Sequence, residues 1–259
     1  MTDSSAGHVS RLSFSTTRSA DSVYVCGDLD TGQVKNNSPT AIIYVDGLNL
    51  YKQLLQFHPR YKWLDLTTLS KKLLPNHEIL MIRYFTARIK PPFTDPDAAN
   101  RQDTYLYALQ SLKPRIAINF GRMSSKDKVY PISPVKLDPE GNLVLAKVKV
   151  TEEKGTDVAL ASQMVFDAAM KSADLYVLIS SDSDFEPTLR LLNDQLGSKI
   201  ALFSPSRIPS RSLLISEKML VKTIRESVLK VSQFPNPVRV NGHQIYMPDE
   251  WLKTEPPID

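Results

Sequence analysis

The chain has 259 residues, of which 42% are hydrophobic and 23% charged, and these near-average proportions exclude a chain that is disordered throughout. The net charge of +4 permits contact with phosphates but is too small for a protein coated with basic residues. The single cysteine, Cys26, excludes an internal disulfide framework and a zinc site built from several cysteines.

Residues 1–39 are rich in serine and threonine and show no sustained periodicity, so we predict a flexible N-terminal extension outside the folded core. This segment lacks the basic flank and apolar stretch of a secretory signal. No later stretch of the sequence is apolar enough for a membrane-spanning helix. Together with the single cysteine, which is typical of a reducing compartment, these features lead us to expect a cytoplasmic protein without membrane attachment.

A core domain is predicted over residues 40–234, where apolar runs alternate with helical patterns. Ala41 to Val45 predicts a buried strand, and the apolar spacing from Leu48 to Leu55 predicts a helix after it. A second helix is predicted from Leu66 to Leu74, with Asp65 as its N-cap, and a strand from Ile79 to Thr86. The core therefore begins with two strands that are separated by two helices.

The middle of the chain predicts a helix, a strand and a long hairpin. The helix contains Tyr105, Leu109 and Leu112, and the strand runs from Arg115 to Phe120. From Lys126 to Val150, two extended stretches flank a turn that contains proline, glycine and asparagine. This pattern indicates a β-hairpin arm.

The second half of the core continues the alternation of helices and strands. A helix is predicted from Thr156 to Lys171 and a strongly apolar strand from Leu175 to Ser180. A helix that opens at Pro187 precedes a strand from Lys199 to Phe203. A last helix is predicted from Leu213 to Leu229.

Alternating strands and crossover helices favour an α/β fold with an open, mostly parallel sheet and helices on both faces. Residues 235–259 are expected to form a C-terminal tail whose hairpin packs on the core. Within it, Asn241-Gly242 stands between Val238 to Val240 and His243 to Met247, a pattern typical of a tight β-hairpin. We therefore predict a three-layer α/β/α domain with a hairpin arm and a small C-terminal hairpin.

Acidic residues follow the predicted strands where a parallel sheet binds its ligands. Asp46 follows the first strand, Asp182 and Asp184 follow the strand that ends at Ser180, and Asp157 opens the helix before that strand. Each alone could be a helix-capping residue. Together they would repel one another and raise each other's pKa unless a cation is present.

Oxygen ligands without histidine or cysteine indicate Mg²⁺ or Mn²⁺. Such ions activate water and offset charge at phosphorus, so hydrolysis of a phosphodiester is the expected chemistry. Asn49 lies one helical turn after Asp46, where its amide could orient a phosphate or a metal-bound water. The alternative role for Asn49 is a local hydrogen bond.

Three motifs resemble the NYN domain family of PIN-like ribonucleases, over roughly Thr40 to Phe234. They are Val45-Asp-Gly-Leu-Asn-Leu50, Glu153-Lys-Gly-Thr-Asp-Val158 and Ser181-Asp-Ser-Asp-Phe-Glu-Pro187. The segment from Pro248 to Trp251 is similar to that of bacterial members, the LabA-like group. The resemblance implies a PIN-like, Rossmann-like fold, dependence on Mg²⁺ or Mn²⁺, and RNA as the usual substrate.

The resemblance also implies roles for particular residues. The catalytic residues that match the family's motifs are Asp46, Asn49, Asp157, Asp182 and Asp184, and the four aspartates are the expected metal ligands. Ser181 departs from the glycine of many relatives, and its larger side chain could tighten the turn that presents Asp182.

Basic residues are expected near the acidic centre, because a nuclease must hold its substrate's phosphates. The candidates for nucleic-acid binding are Arg88, Arg122, Lys154, Arg207 and Arg211. Lysines of the hairpin arm could lie along a phosphate backbone, and Tyr130 and Phe93 could stack on unpaired bases. For any single lysine, an ordinary solvated surface is the alternative.

Three functions compete at this point. The leading one is a metal-dependent endoribonuclease acting on RNA, with single-stranded DNA as an alternative substrate and a homodimer as a means of lengthening a basic groove. The second is a catalytically silent module of the same fold that binds RNA or protein. The third is a phosphatase of the haloacid dehalogenase type, which is disfavoured because Leu48 stands where a second aspartate would be needed.

Overall fold

A seven-stranded sheet is the centre of the fold. The computed structural model describes residues 38–112 and 116–252. In chain order the strands of the sheet are Thr40–Asp46 (β1), Glu78–Ala87 (β2), Ile116–Pro131 (β3), Leu145–Lys154 (β4), Leu175–Ile179 (β5), Ile200–Ser204 (β6) and Leu220–Thr223 (β7). Their order across the sheet is β4-β3-β2-β1-β5-β6-β7. Neighbouring strands are parallel except β3 and β4, which are antiparallel, so the predicted mostly parallel sheet is confirmed.

Helices cross between most of the parallel strands. The α-helices are Gly47–Leu50 (α1), Leu66–Leu73 (α2), Ala98–Leu109 (α3), Thr156–Ala169 (α4), Glu186–Arg190 (α5), Glu226–Lys230 (α6) and Asp249–Leu252 (α7). Two of them continue as π-helical turns, α1 into Tyr51–Leu55 and α5 into Leu191–Gln195. Shorter 3₁₀ turns occur at Pro59–Tyr61, Ser183–Phe185 and Arg211–Leu213.

Two hydrophobic cores lie on opposite faces of the sheet. Along β1, Ile43 and Val45 belong to one core, and Ile42 and Tyr44 belong to the other, because successive side chains of a strand point to opposite faces. Helices α2 and α3 contribute buried leucines to the first core, and α4 and α5 contribute to the second. This arrangement confirms the three-layer α/β/α prediction.

Two local signals of the sequence act as expected. The Asp65 carboxylate caps α2 by accepting hydrogen bonds from the N–H groups of Thr67 and Thr68, at 2.8 and 2.9 Å. In the tail, Val238–Val240 (β8) and His243–Ile245 (β9) form the predicted antiparallel hairpin. Its turn residues have positive φ angles, 49° at Asn241 and 85° at Gly242, which asparagine and glycine tolerate best.

The predicted arm is an extension of the main sheet. Strand β3 is 16 residues long; its first part pairs with β2 and its outer part pairs with β4. The strand predicted from Arg115 and the first half of the arm are therefore one element, although Arg115 itself lies outside the described residues. Beyond these strands, Leu137 and Leu143 form an isolated bridge on either side of the turn.

The helix predicted from Leu213 to Leu229 is wrong. This segment contains a 3₁₀ turn, the strand β7 and the short helix α6. Short apolar runs fit either periodicity, and here the edge of β6 accepts a strand that contains the β-branched residues Val221 and Thr223. Pairing across the sheet therefore outweighs the helical spacing.

The remaining expectations concern the ends of the chain. The predicted N-terminal extension lies outside the described residues. Near the other end, α7 places Trp251 against the first core, with its ring 6.2 Å from that of Trp63 and 6.3 Å from that of Tyr105. No helix within the described ranges combines the length and the hydropathy needed to cross a membrane.

Candidate metal centre and nucleic-acid interface

Asp46 is the last residue of β1 and lies buried at the carboxyl end of the sheet, with 5% of its surface exposed. Its carboxylate accepts hydrogen bonds from the Asn49 N–H at 3.0 Å and the Ser180 hydroxyl at 2.9 Å. Burial raises the pKa of this carboxyl, the two hydrogen bonds lower it, and the charges of Asp182 and Glu153 raise it further. Asp46 is thus held in one position but is costly to keep charged.

The end of β5 brings Asp182 to the same edge. Strands β1 and β5 are parallel neighbours, with Val45 opposite Ile179, so the residues after them meet. The Ser180 hydroxyl, which donates to Asp46, accepts a hydrogen bond from the Asp182 N–H at 3.1 Å. One serine therefore links the two acidic segments.

The turn after Asp182 presents a further carboxylate. Asp182 accepts a hydrogen bond from the Asp184 N–H at 3.0 Å and begins the 3₁₀ turn Ser183–Phe185. Asp184 is exposed on this turn, whereas Phe185 is buried in the second core. The turn therefore directs the Phe185 ring into the core and leaves the Asp184 carboxylate at the surface.

Asp157 reaches the acidic edge from α4. The helix begins after Gly155, whose φ of 99° reverses the chain at the end of β4. Partial burial first, and then the charges of its acidic neighbours, raise the pKa of the Asp157 carboxyl from 3.8 to about 6. Those neighbours are Asp46, Glu153, Asp182 and Asp184. The four predicted aspartates therefore interact electrostatically.

An open cleft of about 600 Å³ lies over this edge of the sheet. Four of the predicted site residues line it, namely Asp46, Asn49, Asp157 and Asp182. Asp184 is not among the described residues that line the cleft, although its charge acts on Asp157. A basic side chain in the lining is Lys52, which the sequence analysis did not single out.

The donor set fits a hard divalent cation such as Mg²⁺ or Mn²⁺, because it consists of carboxylate oxygens. The raised pKa values of Asp46 and Asp157 fit as well, since a cation offsets the repulsion that raises them. Within residues 38–112 and 116–252, however, no three acidic, histidine or cysteine side chains stand close enough to form a ready metal site. The carboxylates converge on one cleft without being drawn together into a ligand shell.

Glu153 also belongs to this cleft, and the sequence analysis missed it. It lies near the end of β4, lines the cleft and accepts a hydrogen bond from the Thr156 N–H at 2.9 Å. A side chain added at Gly121 would collide with the Glu153 carboxylate, so the glycine leaves it room. The available signal was its position as the first residue of the second motif, Glu153 to Val158.

The Asn49 side chain is hydrogen-bonded to the neighbouring turn. Its side-chain oxygen accepts hydrogen bonds from both the N–H and the hydroxyl of Ser181, each at 3.0 Å. With this oxygen occupied, Asn49 can offer a ligand only the N–H donors of its amide. Ser181 thus supports the turn before Asp182 through a hydroxyl that glycine would lack.

None of the five basic candidates is among the described residues that line the acidic cleft. Arg88 forms an ion pair with Asp103 and stacks over Phe120 at 5.0 Å. Arg122 and Lys154 stand opposite each other in the β3–β4 ladder.

The other two basic candidates are exposed on the segment after β6. Arg207 lines a different cleft, of about 670 Å³, and Arg211 begins a 3₁₀ turn. On the arm, Lys128 pairs with Glu152 at 2.5 Å and Lys147 pairs with Asp127 at 3.0 Å. These ion pairs reduce the net positive charge of the arm. The two candidate stacking residues, Phe93 and Tyr130, are exposed.

Among known proteins, the chain is similar to a curated relative and to a protein of solved structure. A 6-hydroxy-3-succinoylpyridine 3-monooxygenase of Pseudomonas putida is 33% identical over 191 residues, which are 66% of this chain and 61% of that protein. The chain thus spans about three fifths of the relative's length. A structure of a protein of unknown function from Vibrio parahaemolyticus has a TM-score of 0.45 and 14% identity, covering 75% of this chain and 98% of that one.

The family comparison agrees with the three motifs at the acidic edge. The NYN domain model matches residues 40–219, which include all four aspartates and Asn49. The expected LabA-like subgroup stays a prediction. Because the match covers well over half of the chain, this protein belongs to the NYN domain family, a nuclease-like family.

Proposed function

We propose that this protein is a metal-dependent endoribonuclease that hydrolyses RNA at the acidic cleft. The observation that carries the proposal is the convergence of Asp46, Asp157 and Asp182, whose mutual repulsion contributes to a pKa of about 6 at Asp157. Membership of a nuclease-like family supports a catalytic role for this cluster. A binding module would gain nothing from anions that repel the phosphates it must hold.

Asp46, Asp157 and Asp182 would hold the cation, with Asp184 as a further ligand or as the residue that positions water. Bound Mg²⁺ or Mn²⁺ supplies an activated water and offsets charge at the scissile phosphate. The protein's own contribution is to orient the groups around the phosphate. Glu153 adds a further negative charge that raises the pKa of Asp157, and a bound cation would offset this repulsion.

Hydrogen bonds between side chains and backbone hold this arrangement in place. The Ser180 hydroxyl and the Asn49 N–H fix the two oxygens of Asp46, and the Asp184 N–H fixes Asp182. The amide donors of Asn49 can bind a phosphate oxygen, and Lys52 supplies positive charge in the cleft. Such fixed groups lower the cost of reorganisation during the reaction.

RNA outside the cleft would contact the exposed basic residues. Arg122 and Lys154 lie at the base of the arm, next to Glu153, and provide a route from the cleft onto the hairpin. Arg88, Arg207 and Arg211 are proposed contacts farther from the cleft. These contacts are electrostatic, so we expect RNA affinity to fall as the salt concentration rises.

A second candidate function comes from the curated relative. Its name describes oxygenation of a substituted pyridine, and its 33% identity makes chemistry on a small heteroaromatic compound the competing proposal. Non-haem iron oxygenases hold their metal with histidine as well as carboxylate ligands, and no histidine is among the described residues that line the cleft. A cluster of carboxylates alone fits the Mg²⁺ or Mn²⁺ of phosphodiester hydrolysis better, so we prefer that function.

The test compares wild type with Asp46→Asn/Asp182→Asn on single-stranded RNA, structured RNA and matched DNA, in Mg²⁺, Mn²⁺ or EDTA. We expect internal cleavage of RNA by wild type with either metal and a loss of at least ~100-fold in the double variant. Asp194→Asn removes an exposed carboxylate outside the cleft and is the matched control. Circular dichroism verifies that every variant is folded.

Strong cleavage by the double variant, or by wild type in EDTA, would contradict the proposal. RNA binding without products in any metal would favour the silent binding module. Turnover of a small phosphate ester without cleavage of nucleic acid would favour a phosphatase. Oxygen-dependent conversion of a hydroxypyridine would favour the second candidate.

A further inference from the structure

An aromatic pocket adjoins the acidic cleft. It has a volume of about 150 Å³, and its walls include Tyr51, Tyr84, Tyr105 and Trp251. A cavity of this size in another protein is large enough to hold a benzene ring. The pocket therefore has room for one six-membered ring.

The pocket and the cleft share a wall. Leu48, Tyr51 and Ile89 line both of them. Tyr51 is 41% exposed and so presents part of its ring to an incoming ligand. The pocket and the cleft are therefore immediate neighbours.

The inner walls of the pocket are fixed by packing. The rings of Tyr84 and Tyr105 meet edge to face at 6.5 Å, and the Tyr105 hydroxyl donates a hydrogen bond to the Leu64 carbonyl at 2.9 Å. Gly47 permits the close approach of Tyr84, because a Cβ at this position would lie 2.5 Å from the tyrosine ring. A preformed pocket of this kind loses little freedom when a ligand binds.

Polar and charged groups surround the aromatic walls. The Lys62 ammonium lies over the Tyr51 ring at 5.2 Å, and Arg101 pairs with Asp95 at the pocket. Gln102 accepts a hydrogen bond from the Ile89 N–H at 2.9 Å. The site thus combines ring faces with hydrogen-bonding groups, which is the chemistry that recognises a heteroaromatic ring.

We propose that this pocket holds an unpaired pyrimidine base of the RNA strand whose phosphate lies in the acidic cleft, an assignment that rests on the proposed nuclease function. The adjacency of the two sites favours a ligand that carries both a phosphate and a flat ring. Stacking on aromatic side chains is the usual way in which proteins hold unpaired bases. The volume favours a single ring over the two fused rings of a purine.

Binding is measured without cleavage in the Asp46→Asn/Asp182→Asn protein, using fluorescence anisotropy with labelled hexauridylate, hexa-adenylate and an abasic hexamer. We expect hexauridylate to bind about 10-fold or more tightly than the other two. Ala98→Leu, added to this protein, fills the pocket from the start of α3 and should abolish the preference. Ala98→Ser keeps the space open and is the matched control.

Equal binding of all three hexamers, or a preference that survives Ala98→Leu in a folded protein, would overturn the assignment. If the three hexamers bind equally and free uridine displaces them, the assignment is also overturned. The pocket would then be assigned to a small free heteroaromatic compound. These outcomes are separate from the test of the proposed function, which requires metal-dependent cleavage of RNA by wild type and its loss in the double variant. If wild type cleaves RNA, its cut sites should show a pyrimidine preference, and Ala98→Leu should lose that preference.

Discussion

The side-chain oxygen of Asn49 accepts two hydrogen bonds from Ser181, one from its N–H and one from its hydroxyl, each 3.0 Å long. Asn49 also donates its own N–H to Asp46. The residue therefore ties the segment after β1 to the segment after β5, which carries Asp182. Its position in the family motif has a structural reason in addition to the proposed contact with phosphate.

Replacing Asn49 with alanine should reduce both stability and activity. The Ser181 N–H loses its acceptor in a partly buried position, which costs about 1–3 kcal/mol of unfolding free energy. Ser181→Ala loses only the hydroxyl bond and should cost less, about 0.5–1.5 kcal/mol. Urea unfolding and RNA cleavage measure the two effects. Equal stability of wild type and Asn49→Ala would contradict this role.

The raised pKa of Asp157 predicts how pH affects the metal-free protein. The folded state binds this proton with a pKa of about 6 and the unfolded state with the ordinary value of 3.8. Between these values the folded state binds more protons, so stability falls as pH rises from about 4 to 6 and stays lower above that range.

Asp157→Asn removes this effect. In EDTA the variant should melt at a higher temperature than wild type at pH 8, and the difference should vanish near pH 4. Mg²⁺ should raise the melting temperature of wild type more than that of the variant, because the variant lacks one proposed ligand. Asp194→Asn is the control. A lower melting temperature for Asp157→Asn in EDTA at pH 8 would refute the prediction.

A buried ion pair between Arg83 and Asp167 joins β2 to α4. The Arg83 guanidinium donates to both oxygens of the carboxylate, at 2.8 and 3.1 Å, and the Tyr44 hydroxyl donates to it at 2.6 Å. Asp167→Ala leaves these donors without their buried acceptor, so we expect a loss of about 3–5 kcal/mol. Gln163→Ala removes one bond to the same carboxylate and should cost about 1 kcal/mol. Similar denaturation midpoints for the two variants would argue against the network.

Gly47 is predicted to tolerate no side chain. A Cβ at this position would lie 2.6 Å from the Tyr84 hydroxyl oxygen and 2.8 Å from the Phe85 carbonyl oxygen. The carbonyl belongs to the sheet and cannot move aside freely, so Gly47→Ala should destabilise by about 1–3 kcal/mol. Gly141→Ala, at an exposed turn with no atom within 4 Å of the added carbon, tests backbone strain alone. Thermal unfolding should rank Gly47→Ala below this control.

Long-range contacts explain what sequence reasoning missed. The strand Leu220–Thr223 and the helix predicted there share the same apolar residues, and only pairing with β6 selects the strand. Glu153 enters the cleft because the arm returns antiparallel to β3 and ends at the sheet's acidic edge. The hairpin pattern predicts that the arm returns, but it does not predict that the returning strand ends beside the aspartates.

The sequence by itself determined the features that depend on neighbouring residues. These include the Asp65 cap, the Asn241-Gly242 turn, the alternation of strands with helices, and the three motifs that match the NYN domain family. Local geometry and spacing are enough for such features, because their partners lie within a few positions.

Only the tertiary structure decided how distant segments meet. It directs the Asn49 oxygen to Ser181, adds Glu153 to the aspartates, and uses Trp251 from the end of the described chain to close an aromatic pocket beside the cleft. Each of these contacts joins residues far apart in sequence. Their geometry follows from strand order and core packing, which no local pattern encodes.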